Sequence, residues 1–132
     1  MSAELHRTIR TEMDASRTVL ESTLYSREAG FDETPSRMIA TAVSELVRNI
    51  LKYAGSGEIR LRRVKEPSRH GIEIEAIDQG PGIVDCEAAM LDHVSSAGTL
   101  GLGLPGVKRL MDEFLLESTP GEGTRVTARK WI

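Results

Sequence analysis

The sequence predicts an α/β two-layer sandwich: a mixed, mostly antiparallel sheet with helices on one face. The first of three observations is the run Ile72-Glu73-Ile74-Glu75-Ala76-Ile77, whose strict alternation is that of a strand with one buried side. The second is the stretch Pro35–Ala54, where Ile39, Val43, Leu46, Ile50 and Ala54 recur at helical spacing. The third is the order of elements, β-α-α-β-β-loop-α-β-β, which replaces βαβ alternation with hairpins.

The elements follow in turn. Leu5 to Met13 alternates weakly and reads as an opening strand. Ser16 to Ala29 places Val19, Leu20, Leu24 and Tyr25 at helical spacing, with Gly30 as its stop. Thr34-Pro35 reads as N-cap and first helical residue of the second helix, which Gly55-Ser56-Gly57 ends. Glu58 to Val64 is a strand, Lys65 to Gly71 a polar turn, and Ile72–Ile77 its hairpin partner. Val84 to Gly98 reads as a partly helical segment. Leu104 to Phe114 is helical, with Val107, Leu110, Met111 and Phe114 on one face. Phe114–Thr119 and Thr124–Trp131 are strands joined by Pro120-Gly121-Glu122-Gly123.

Composition narrows the class. At 132 residues, with 39% hydrophobic and 28% charged content, residues 1–132 are expected to form one globular domain. The net charge of −3 and the absence of any basic block longer than Arg62-Arg63 argue against nucleic acid. A lone cysteine, Cys86, rules out an internal disulfide and a cysteine-built zinc site. No apolar run approaches the ~18 residues of a membrane span, and Met1-Ser2-Ala3-Glu4 lacks a signal-peptide pattern. A cytoplasmic protein is expected.

Four short patterns carry chemistry. Glu45 and Asn49, four apart, stack on the shoulder of the buried stripe of the second helix, and Lys52 extends their strip. Asn offers a neutral oxygen to a hard cation, and Glu can deprotonate a hydroxyl; a solvated helix flank would look the same. Asp78-Gln79-Gly80-Pro81-Gly82 ends a strand with a carboxylate beside bare backbone, suited to an exocyclic amine and a ring, or to an ordinary turn. Gly98–Gly106 is glycine-rich and leads into a helix, where main-chain amides can hold an anion. It matches Gly-x-Gly-x-x-Gly at Gly101, Gly103 and Gly106, but no strand precedes it and no acidic residue follows at the dinucleotide-fold distance. Gly121-Glu122-Gly123-Thr124 is by itself a hairpin turn.

Taken in order, these patterns resemble the nucleotide boxes of the GHKL (Bergerat-fold) superfamily, which includes gyrase, heat-shock chaperone ATPases, histidine kinases and MutL. The runs Ser44–Ile50 and Asp78–Ile83 are most similar to bacterial anti-sigma serine kinases, and Gly103–Phe114 resembles the RsbT-type switch kinase of the stressosome. The resemblance implies a serine/threonine protein kinase using ATP and Mg²⁺. By similarity, Glu45 is the general base, Asn49 the Mg²⁺ ligand, and Asp78 the acceptor of the adenine amine, assisted through water by Thr124. Gly80 and Gly82 give the ring room, and Gly101, Gly103 and Leu104 cradle the phosphates. Val84–Leu100 becomes a short lid without an aromatic residue. Arg48 and Lys52 are looser candidates, for partner and phosphate contact.

The implied partners are STAS-domain substrates of the RsbS and RsbR type and a PP2C-type phosphatase of the RsbU type. The alternative is an RsbW-type anti-sigma factor that sequesters a sigma subunit. A third reading, a detached histidine-kinase catalytic domain, would yield acid-labile phosphate.

Overall fold

A computed structural model describes residues 4–83, 90 and 103–132. The expected segment Val84–Gly98, the lid Val84–Leu100 and Gly101 therefore lie outside the described residues, Met90 excepted.

The elements are β1 (Leu5–Ile9), α1 (Glu12–Glu28), α2 (Glu33–Asn49) with a π-helical turn at Ile50–Ala54, β2 (Gly57–Glu66), β3 (Arg69–Asp78), α3 (Gly103–Leu110), β4 (Glu113–Thr119) and β5 (Gly123–Trp131). The sheet order is β1-β2-β3-β5-β4. Every one of its pairings is antiparallel, the limiting case of the mostly antiparallel sheet expected.

One face of the sheet is the core. Ile59 and Leu61 of β2, Ile72, Ile74 and Ala76 of β3, and Val126 and Ala128 of β5 are buried in one cluster with Ile39, Val43, Leu46 and Ile50 of the second helix. Each of the Ile, Leu and Val side chains among them contributes roughly 1.5–3 kcal/mol on burial. On the opposite face the alternation brings up Glu73 and Glu75, only 6% exposed each. Glu73 accepts from Arg62 and Arg129 Nε at 2.8 Å each, while Glu75 accepts from Arg60 Nη1 at 3.1 Å and from Arg125. The register sets these clamps, since Glu73 lies opposite Arg62 on one side and Arg129 on the other.

Several expected boundaries move. β1 stops at Ile9, and α1 begins at Glu12 rather than Ser16. The cause is a capping box: the Asp14 amide donates to Thr11 Oγ1 at 3.0 Å, and the Asp14 carboxylate accepts from the Thr11 amide at 3.1 Å. The buried face of α1 is Ala15, Thr18, Ser22 and Ser26, whereas Leu20 is 65% and Leu24 57% exposed. Small hydroxyl residues can take that face because their side chains bond back to the helix, Thr18 to the Asp14 carbonyl and Ser26 to the Ser22 carbonyl, both at 2.8 Å. α2 is capped at Asp32, which places Thr34 and Pro35 inside its first turn. There the missing amide of Pro35 costs no intrahelical bond. The β2–β3 hairpin closes at Pro67-Ser68, so the turn expected over Lys65–Gly71 is mostly strand.

α3 ends at Leu110, short of the expected Phe114. The Asp112 amide is drawn to the Arg129 carbonyl at 2.8 Å, and the buried Lys130 caps the helix by donating to the Leu110 carbonyl at 2.8 Å. Phe114 becomes part of β4, opposite Ala128.

Burial pushes the Glu73 carboxyl up, but the hydrogen bonds from Arg62 and Arg129 outweigh it and hold the group below its ordinary range. A depressed folded-state value gives stability that is present above the unfolded carboxylate value, about 4.3, and is lost as pH falls through the folded value. Thermal melting between pH 7 and pH 3 is therefore expected to fall less steeply for Glu73→Gln than for the wild type.

Candidate functional site

The end of β3 and the two turns facing it form one bonded unit. Asp78 is the last residue of β3, opposite Gly57 on β2 and Thr124 on β5. It shares the strand parity of Ile74 and Ala76, so its side chain leaves the sheet on the helix side, as does that of Thr124 beside Val126. Asp78 is half-buried, and its Oδ1 accepts from the Gly80 amide at 2.9 Å. A methyl group at Gly80 would stand 2.7 Å from Ala54 Cβ, so glycine is what lets the loop close against the π-helical turn. Gly82, at φ +76, has the backbone of Thr119 against it, and a Cβ there would lie 2.4 Å from the Thr119 carbonyl. The Gly121 amide donates to the Pro81 carbonyl at 2.7 Å, which ties the β4–β5 turn to this loop.

Ser118, which carries no signal in the sequence, is the hub of this unit. Its Oγ accepts from the Ile83 amide at 2.7 Å, donates to the Gly123 carbonyl at 3.0 Å and lies 2.9 Å from Thr124 Oγ1. Only the register of the β4–β5 hairpin, which sets it opposite Thr124, brings it into the site.

The second half of the site lies on α2. Glu45 is 6% exposed, and both carboxylate oxygens are engaged. Oε1 accepts from Arg48 Nη1 at 3.2 Å, and Oε2 accepts from the Gly103 amide at 3.0 Å. That amide opens α3 in a glycine with φ +65, so a buried carboxylate sits where a helix N-terminus favours negative charge. Leu104 follows with its side chain in the core.

Asn49 is half-buried and is the last residue of α2, one residue before the π-helical turn. The Gly55 amide closes that turn on the Ile50 carbonyl at 2.9 Å. Single π turns inside helices concentrate at functional sites, and this one carries Ala54 onto Gly80. The turn continues the helix of the Glu45–Asn49 strip and packs that helix against the Asp78 loop. Lys52, on the same turn, is exposed and lies 5.4 Å from the ring centroid of its neighbour Tyr53.

Among the described residues, no three His, Cys, Asp or Glu side chains cluster as a metal cage. Also among them, no helix is long and apolar enough to cross a membrane.

Residues 8–130 match the family model of the histidine kinase-like ATPase domain. The chain is 51% identical to the serine/threonine-protein kinase RsbT of Bacillus subtilis (strain 168), over 81% of this chain and 80% of that protein. It is 39% identical to an anti-sigma F factor of Thermoanaerobacter sp. (strain X514), over 71% of this chain and 68% of the relative. In fold it is similar to the histidine kinase domain of the Erythrobacter litoralis EL346 blue-light activated kinase, with a TM-score of 0.54 and 21% identity. That alignment covers 89% of this chain and 59% of the solved one.

Ser118→Ala removes the acceptor of the Ile83 amide and the donor to the Gly123 carbonyl. Chemical unfolding is expected to show a loss of about 1–3 kcal/mol.

Proposed function

The chain belongs to the histidine kinase-like ATPase family, in the branch of the RsbT-type serine/threonine-protein kinases, and on that premise we propose that it phosphorylates a STAS-domain partner on serine or threonine. The observation that carries the proposal is the buried Glu45 carboxylate beside the Gly103 amide, a base at the mouth of an anion-binding helix start.

The residues fit the nucleotide. Gly80 and Gly82 let the loop pack against Ala54 and the Thr119 backbone, so the ring room expected of them is not seen at these two positions, and the adenine amine is assigned to the half-buried Asp78 carboxylate at the head of that loop. Thr124 lies across the register from Asp78 and completes that contact through water. Gly101, Gly103 and Leu104 offer main-chain amides to the phosphates. Asn49 would hold Mg²⁺ through its neutral side-chain oxygen, and the ion would supply positive charge against the phosphates.

In the reaction, Glu45 takes the proton from the acceptor hydroxyl as its oxygen bonds to the γ-phosphorus, and the bond from that phosphorus to the bridging oxygen of ADP breaks. The phosphate then adds charge to the docking surface and releases the kinase, which engages a PP2C-type phosphatase. Residues 1–132 act in this scheme as one cytoplasmic kinase unit.

The similarity to anti-sigma F factors favours a second reading, sequestration of a sigma subunit. Both readings use the same nucleotide boxes, so binding assays with a sigma subunit and with a STAS-domain protein separate them.

Incubation with γ-labelled ATP and a STAS-domain protein is expected to give acid-stable phosphoserine or phosphothreonine. Acid-labile label would instead indicate histidine. Glu45→Ala is expected to abolish transfer while ATP affinity stays within a few-fold; persistent transfer would remove Glu45 as the base. Asp78→Asn is expected to weaken ATP binding itself, by about tenfold or more for a lost charge-assisted contact. Unchanged affinity in calorimetry would sink the adenine role.

A further inference from the structure

The Glu45 carboxylate is held at two points, and the reaction proposed above needs one of them for something else. Its Oε2 rests on the Gly103 amide. If that amide serves a phosphate, it is withdrawn from Glu45 when nucleotide binds. What then fixes the carboxylate is the contact on its other oxygen, from Arg48 Nη1 at 3.2 Å. Arg48 lies one turn further along α2, with its side chain 48% exposed against 8% for Glu45. The guanidinium therefore stays in water while it reaches a carboxylate that does not.

We propose that Arg48 is the positioning residue of Glu45: it keeps the base aimed in the nucleotide-bound state, after the Gly103 amide has been given up to phosphate. The inference rests on Glu45 acting as the base.

Two simpler roles compete for Arg48. An exposed ion pair one turn apart on a helix is usually a minor surface contact. Arg48 also lines a groove of about 150 Å³ between α1 and α2, together with Glu12, Ser16, Val19, Val47 and Leu51. A partner protein could reach it there. The buried state of Glu45 argues against the first role. The direction of the contact, along the helix toward Glu45, argues against the second.

The test is steady-state kinetics of the full chain with γ-labelled ATP, with and without a STAS-domain acceptor, on the wild type, Arg48→Met, Arg48→Lys and Glu45→Gln. For Arg48→Met, kcat for transfer is expected to fall by about tenfold to a hundredfold, as for a misaimed catalytic group. KM for the acceptor, ATP affinity and melting temperature should stay near wild type. Arg48→Lys should recover part of the loss, since one of its ammonium protons can serve the same oxygen. Wild-type kcat in Arg48→Met, with Glu45→Gln inactive, overturns the positioning role and leaves the base standing. A loss confined to acceptor KM makes Arg48 a docking contact and overturns it as well. Full activity of Glu45→Gln removes Glu45 as the base and the positioning role with it, whereas no transfer by the wild type defeats the kinase reading itself.

Discussion

The end of β3 is crowded by backbone on several sides, and the site depends on that crowding being tolerated. A Cβ at Gly123 would stand 2.1 Å from the Asp78 carbonyl, and one at Gly57 would stand 2.6 Å from the Ile77 carbonyl. Both neighbouring strands therefore meet the last residues of β3 through glycine. This lets the chain leave the sheet at Asp78 without spreading its neighbours apart, so the Asp78 carboxylate ends beside Thr124 and under the π-helical turn. The register that brings this about is guarded from both faces. A slip of one residue would turn Asp78 to the open face and drive Glu73 and Glu75 into the apolar core. The arginine clamps on those two carboxylates thus do more than decorate the outer surface. They make the alternative register cost two unpaired buried charges.

Much of this was legible in the sequence where one face of an element is strongly apolar. The β2–β3 hairpin, the α2 stripe of Ile39, Val43, Leu46 and Ile50, and the β4–β5 pair all emerge at or near their expected places. α1 did not, for a physical reason. Its inward residues are Thr18, Ser22 and Ser26, which a hydropathy pattern assigns to solvent, while Met13, Leu20 and Leu24 point outward. The capping box Thr11-x-x-Asp14 was present in the sequence as the better signal for its start, but the weak alternation from Leu5 ran across it. The apolar spacing that Met111 continues predicts a longer α3 than forms, because the Asp112 amide bonds to the Arg129 carbonyl on a strand distant in sequence.

The site divides in the same way. Glu45, Asn49, Asp78 and the glycines could be picked out because each sits in a short local pattern. Ser118 could not, because its three partners come from two different turns. The π-helical turn was equally hidden. The stripe from Ile39 to Ala54 fits a continuous α-helix, and nothing local marks the added residue in the turn. Its consequence is nonetheless large, because it sets Ala54 against Gly80 and so joins the two halves of the site.

α3 shows why an exchange of ligands at its start need not undo the fold. Its first amide is bonded to Glu45 on α2, and its last carbonyl is bonded to Lys130 on β5. Between them, Leu104, Val107 and the following Met111 are buried in the core. The two ends are therefore anchored in different layers, one in the helices and one in the sheet. If a phosphate takes the Gly103 amide, α3 exchanges one anionic partner for another at its positive end, while the apolar face and the Lys130 cap remain. The carboxylate that leaves stays on α2, whose own packing does not involve that bond. The change is local to Glu45 and the first residue of α3.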